Sequence, residues 1–210
     1  ENILEEVRRI EQMGLKGIKL HPDCQRFDID DPRLFPLYEE IQGRLPMMMH
    51  LGDENFNHSH PARLRKVLDH FPKMEVCAAH FGGHTMYDTA MEYLTDTNCI
   101  LDISSTLMFL DKKIAESYVN HYGAERLAFG TDYPVWDPVR EMELFLDLDL
   151  TVDIVHIPRE IEISLPEIRL RTGRILKSFT WTEREWSHGI SVGRPPFGLP
   201  IKSFQSLFLC

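Results

Sequence analysis

Five short, mostly apolar runs recur along residues 1–150, each closed by a polar residue, glycine or proline. They are Leu15 to Leu20 before His21-Pro22, Met47-Met48-Met49 before His50, Val76-Cys77-Ala78-Ala79 before His80, Cys99 to Ile103 before Ser104, and Leu127-Ala128-Phe129-Gly130 before Thr131-Asp132. Between them the apolar positions change to a helical period, as in Ile3, Leu4, Val7 and Ile10, or Leu64, Val67, Leu68 and Phe71, which places them on one helix face. The pattern predicts helices over Asn2 to Met13, from the cap Asp30-Asp31-Pro32 to about Gln42, over Ala62 to about Phe71, and from about Met86 to Leu94. Two more follow, from the cap Asp111 to about Tyr122 with Gly123 as its stop, and from Pro138 to about Leu148. The predicted strands recur at intervals of roughly 23 to 30 residues, the spacing of βα units with parallel strands. The fold class is α/β.

The pattern changes at Thr151. Residues 152–168 mix β-branched residues, charges and two prolines, and residues 181–210 hold Pro195-Pro196, Pro200, several serines and aromatics. No strand-helix unit is readable there beyond a helix near Arg169 to Phe179. The chain divides into an ordered α/β part, 1–150, and an irregular tail, 151–210, for which disorder or a frameshifted reading frame is the expectation. Because the chain starts at Glu1 inside a helical pattern, upstream sequence is expected to be missing.

Composition is ordinary for a globular domain, 43% hydrophobic and 27% charged, so a core is within reach. The formal charge of −10 argues against general affinity for nucleic acid or anionic lipid. No apolar stretch approaches the roughly 18 residues of a membrane span, and the acidic start is no secretory signal. Cys24, Cys77, Cys99 and Cys210 are too scattered for a zinc knuckle or redox motif and read as free thiols. A cytoplasmic protein with a small-molecule substrate, and with homo-oligomerisation left open, is the resulting expectation.

His50, His80 and Asp132 end three of the predicted strands. Imidazoles and a carboxylate at equivalent strand ends are the donor set of a divalent metal, zinc first and manganese second. In an α/β barrel that end carries the chemistry. A lone buried histidine is more often a hydrogen-bonded structural residue; it is the repetition at equivalent positions that favours a site. Alternation along a strand places His50 with Met48, His80 with Ala78, and Asp132 with Gly130 and Ala128. Lys19, His21, His60 and His84 are weaker candidates for substrate binding, and His60 and His84 also read as residues at helix starts. The Met47-Met48-Met49 run reads as core packing.

Four motifs, Lys16-Gly17-Ile18-Lys19-Leu20-His21-Pro22, Met48-Met49-His50-Leu51-Gly52, Ala79-His80-Phe81-Gly82-Gly83 and Phe129-Gly130-Thr131-Asp132-Tyr133-Pro134, resemble in order and spacing the amidohydrolase-related family. These are metal-dependent TIM-barrel hydrolases that also include decarboxylases of the aminocarboxymuconate-semialdehyde type. The resemblance covers about Glu1 to Leu150. It implies a partial (β/α)8 TIM barrel of about five βα units, the fourth to the eighth. It further implies that His50 and Asp132 bind one divalent metal ion, zinc or manganese, that His80 and Asp132 are catalytic, and that Lys19 and His21 lie at the end of the fourth strand. The family's first-strand His-x-His pair is not in this sequence; His58 and His60 have that spacing but follow His50. The reading is therefore a hydrolase using metal-activated water, with a non-oxidative decarboxylase of the same fold and an inactive truncated barrel as alternatives.

Overall fold

Helix α1 (Ile3–Gln12) buries Val7 and Ile10, the face its apolar spacing predicts. The computed structural model of the chain describes residues 3–150, so the expected tail and its helix near Arg169 lie outside the described residues. After α1 come β1 (Ile18–Leu20), α2 (Pro22–Gln25), a 3-10 turn (Pro32–Leu34), α3 (Phe35–Ile41) and β2 (Met47–Met49). Helix α4 (Pro61–His70), β3 (Val76–Ala78), α5 (Tyr87–Leu94) and β4 (Ile100–Asp102) continue the alternation. Helix α6 (Lys112–Tyr122), β5 (Leu127–Ala128) and α7 (Pro138–Asp147) complete it.

The helix predicted to follow Asp31 is divided in two. Pro36 sits in the first turn of α3 and has no N–H to give the carbonyl of Pro32, which takes the Phe35 N–H in a tighter 3-10 turn instead. The expected caps form: Asp31 accepts from the Arg33 N–H and Asp111 from the Lys113 N–H, each at 2.9 Å; Asp137, which the prediction did not name, caps α7 by accepting the Val139 N–H at 2.9 Å. Gly123 ends α6 at φ +81°. Helix α2 is an addition to the prediction; Pro22 opens it, His21 caps it, and Arg26 in the left-handed region stops it.

The five strands form one parallel sheet in the order β1-β2-β3-β4-β5, with Ile18 opposite Met47, Met47 opposite Val76, Cys77 opposite Ile100 and Leu101 opposite Leu127. Sequential order with helical crossovers is the arrangement of consecutive βα units of a barrel wall. Met47, Met49, Val76, Ala78 and Leu101 are buried in the core with Leu64, Phe81, Leu94 and Phe129. Each of the side chains larger than alanine contributes on the order of 1.5–3 kcal/mol. Lys19, Met48, Cys77 and Ile100 alternate with them and are less deeply covered. Cys77 and Cys99 are free thiols. Among the described residues no helix is long and apolar enough to cross a membrane.

Candidate active site

The backbone just past β2 and β3 sets the site. His50 donates its N–H to Leu20 O at 3.0 Å, Ala79 to Met49 O at 2.9 Å, and His84 to Leu51 O at 2.7 Å, which draws the three loops together. Gly52, at φ +75°, makes this approach feasible, because a Cβ there would lie 2.6 Å from the Cα of Gly83. No larger residue fits against that backbone.

Strict alternation fails at His80. It shares parity with Ala78, whose register partner Met49 lies on the face opposite Met48 and His50, so alternation alone would separate the two histidines. Instead His80 and Phe81 adopt φ of +59° and +53°, and this left-handed turn redirects the imidazole. His80 is 3% exposed and its Nε2 lies 3.0 Å from His50 Nδ1. Left-handed non-glycine residues cost about 1–2 kcal/mol each and gather where function needs an unusual side-chain direction. Asp132 at +53° and Ser105 at +51° share the feature.

The hydrogen bonds fix the tautomers. His80 Nδ1 lies 2.8 Å from Ser104 O, and a carbonyl only accepts, so Nδ1 carries the proton and Nε2 is bare. His50 Nδ1–H must then donate to His80 Nε2, leaving His50 Nε2 with a free lone pair. Burial pushes His50 down to about 2, with the positive forms of His80, His21, Lys19 and His84 adding to the effect. Burial also pushes down His80, against the pull of Asp102, and His21. His50, His80 and His21 are therefore neutral at pH 7.

Asp102 was not among the expected site residues, since its strand ends in hydroxyls. It is 4% exposed and its Oδ1 accepts the Ser104 N–H at 3.0 Å and the Ser104 hydroxyl. It thus holds the residue whose carbonyl orients His80. Gly130 makes room for it: a Cβ there would collide with Asp102 Oδ2. The readable signal was a carboxylate inside an apolar strand facing a glycine two strand-end residues before Asp132. Lys19 is a half-buried cation whose pKa is lowered by desolvation and pulled back by Asp102 and Asp132.

Of the other expected residues, His21 stacks on His50 with centroids 3.8 Å apart and planes at 11°. His84 stands 5.5 Å from His80 and 6.3 Å from His50 by ring centroids, in the same cluster. His60 does not join it; the ring caps α4 by accepting the Ala62 N–H at 3.1 Å and contacts Tyr93, which is the helix-start role. Asp132 Oδ2 accepts from the Ser105 hydroxyl at 2.7 Å. Ligand atoms of His21, Asp23 and His50 all lie within 4.8 Å of one another. Asp23 also accepts from the Ser59 N–H at 3.2 Å, the supporting bond typical of a ligating carboxylate. His21 Nδ1 faces the Cys24 N–H at 3.4 Å. Sequence reasoning missed Asp23, although it follows His21-Pro22 directly.

Solved structures similar to this chain share the fold. An uncharacterized TIM-barrel protein from Bordetella bronchiseptica is 24% identical with a TM-score of 0.59, over 70% of this chain and 55% of its own. A dihydroxybenzoic acid decarboxylase from Polaromonas sp., solved with manganese and 2-nitroresorcinol, is 14% identical with a TM-score of 0.54, over 71% and 59%. A putative amidohydrolase from Staphylococcus aureus is 15% identical with a TM-score of 0.54, over 71% and 63%. The chain thus spans between 55% and 63% of the length of these structures, and what it shares with them is part of a TIM barrel. The model of the family described as amidohydrolase matches residues 2–160, and the chain belongs to that family.

Proposed function

We propose that this chain carries the metal-binding and proton-transfer half of a hydrolase acting on a small molecule. The observation that carries the reading is the Ser104–His80–His50 relay, which leaves His50 Nε2 unprotonated and gives the imidazole a supporting acceptor on its other nitrogen, as ligating histidines have. The carboxylate within ligand reach of His50 is that of Asp23, and with Asp132 added this donor set fits zinc or manganese. His50 and Asp132 would hold the ion, with Asp23 and His21 at its side. When bound, such an ion supplies Lewis acidity and lowers the pKa of a coordinated water.

The residues of the chain do the rest. His80 is neutral at pH 7 and takes the proton at Nε2 once its bond from His50 opens. Ser104 O, Asp102 and Asp132 favour the resulting imidazolium. His21 and His84 flank the substrate. Lys19 supports a second reading, decarboxylation: a half-buried ammonium close to Asp102 and Asp132 is the cation that would hold a substrate carboxylate.

Metal content by elemental analysis and turnover of amide, lactone and aromatic-acid substrates, with carbon dioxide release followed, test both readings. His80→Ala retains metal and loses turnover, whereas His50→Ala and Asp132→Ala lose metal. Unchanged metal content in both of the latter refutes the ligand assignment. A wild-type chain that takes up no metal would support the inactive-barrel reading instead.

A further inference from the structure

Ser59 is fully buried, although it lies in the loop between β2 and α4. Its N–H donates to Asp23 Oδ1 at 3.2 Å and its hydroxyl donates to Asp23 Oδ2, so each carboxylate oxygen receives one bond from the same residue. Its carbonyl accepts the Gly52 N–H at 3.0 Å, two residues past His50. One buried serine therefore ties α2 to the loop that carries His50.

The tie is braced by its neighbours. The Ile29 N–H donates to His58 O at 3.2 Å, His58 Nδ1 lies 2.7 Å from Asp28 Oδ1, and Arg63 pairs with Asp30. A carboxylate held at both oxygens has already given up the side-chain freedom that binding an ion would cost, and each oxygen keeps a lone pair beyond the one Ser59 uses. Asp23 and His50 offer ligand atoms within 4.8 Å of each other. His21 is equally near, but in this arrangement it cannot share an ion with His50. The two rings are 3.8 Å apart with planes at 11°, and an imidazole binds a metal in its own plane at about 2.0–2.1 Å. Nearly parallel planes do not meet at one ion.

We propose that Asp23 is a direct ligand of the ion on His50 and that Ser59 is its positioning residue, aiming the carboxylate through its N–H and hydroxyl while its carbonyl holds the His50 loop. The ion then takes a hard oxygen donor from α2, outside the strand ends, and His21 packs on the face of His50 without binding the ion. The proposal rests on the reading of His50 as a metal ligand. It separates Asp23 from an acid that merely fastens a loop, because a fastening needs only an acceptor whereas a ligand needs the charge.

The test uses the full 210-residue chain with cobalt(II) as the metal probe. Affinity is read by titration calorimetry, the ligand field by visible absorption, and folding by circular dichroism. Asp23→Asn keeps an acceptor for the Ser59 N–H but not the charge, and it weakens cobalt more than about a hundredfold, past the range for groups that only support a ligand. Ser59→Ala removes the hydroxyl alone; it weakens cobalt about tenfold, within that range, and shifts the visible spectrum as the carboxylate turns. A folded Asp23→Asn chain with a smaller loss, or a folded Ser59→Ala chain with unchanged affinity and spectrum, overturns the proposal. Where Asp23→Asn does not fold, Ser59→Ala carries the test by the same two readouts. Failure of the wild-type chain to bind cobalt overturns the metal reading and the proposal together. Binding that His50→Ala abolishes and Asp23→Asn retains overturns the proposal alone.

Discussion

Substituting Gly130 by alanine tests whether the buried support of His80 is built as described. The added Cβ would collide with Asp102 Oδ2, lie 3.1 Å from its Cγ and 3.4 Å from Ser104 Cβ. The carboxylate must rotate, because the opposing atoms are in a strand and a neighbouring turn. Overpacking of this kind costs about 1–3 kcal/mol. Rotation also detaches Asp102 Oδ1 from the Ser104 N–H, and a buried donor left unpaired costs about 1–3 kcal/mol. Together these give a loss of about 2–6 kcal/mol, read by urea unfolding followed by circular dichroism. Gly43→Ala is the control: its φ is +71° but nothing lies within 4 Å of the added Cβ, so only the left-handed backbone cost of about 1–2 kcal/mol applies. Truncating Asp102 to alanine removes the clash, and Gly130→Ala in that background costs at least about 1 kcal/mol less than it does alone. A Gly130→Ala chain within about 0.5 kcal/mol of wild type, or strict additivity with Asp102→Ala, would refute the reasoning.

Glu141→Gln changes the pH dependence of stability. The carboxyl is held protonated in the folded chain up to about 7 against 4.5 unfolded, so the unfolded state releases this proton first and stability falls as pH rises between those values, then levels off. At about 1.4 kcal/mol per pH unit this bounds the effect at about 3 kcal/mol, and the glutamine variant, measured by urea unfolding from pH 4 to 8, lacks that decline; parallel curves for the two chains would count against a buried acid. Gly52→Ala, whose Cβ would meet the backbone of Gly83 and the His84 nitrogen at 2.6 Å, forces apart the loops bearing His50 and His84. Its expected cost is about 2–5 kcal/mol, and a melting temperature equal to wild type would show that the loops do not depend on this approach.

The hydrophobic pattern was sufficient for the architecture. Parallel βα repetition follows from apolar runs separated by amphipathic helices, and the caps Asp31 and Asp111 with the stop at Gly123 rest on local chemistry that short windows contain. His50, His80 and Asp132 could be named as candidates because strand ends in such a fold converge on one side. His60 was left between two readings for a local reason: a histidine before a proline at a helix start looks alike whether it caps the helix or binds a ligand, and the Ala62 N–H at 3.1 Å gives it the cap.

What the tertiary structure alone decided concerns direction and partnership. Alternation along β3 would have put His80 on the wrong face, and the left-handed turn at His80 and Phe81 that corrects it has no glycine at those positions to announce it. The bond from His50 to His80, that from His80 to the Ser104 carbonyl and that from Ser105 to Asp132 each join residues from different βα units. The sequence determined which side chains each loop carries and which strand end delivers them. Protonation, tautomer and support depend on burial and on neighbours distant along the chain, and those exist only once the sheet has assembled.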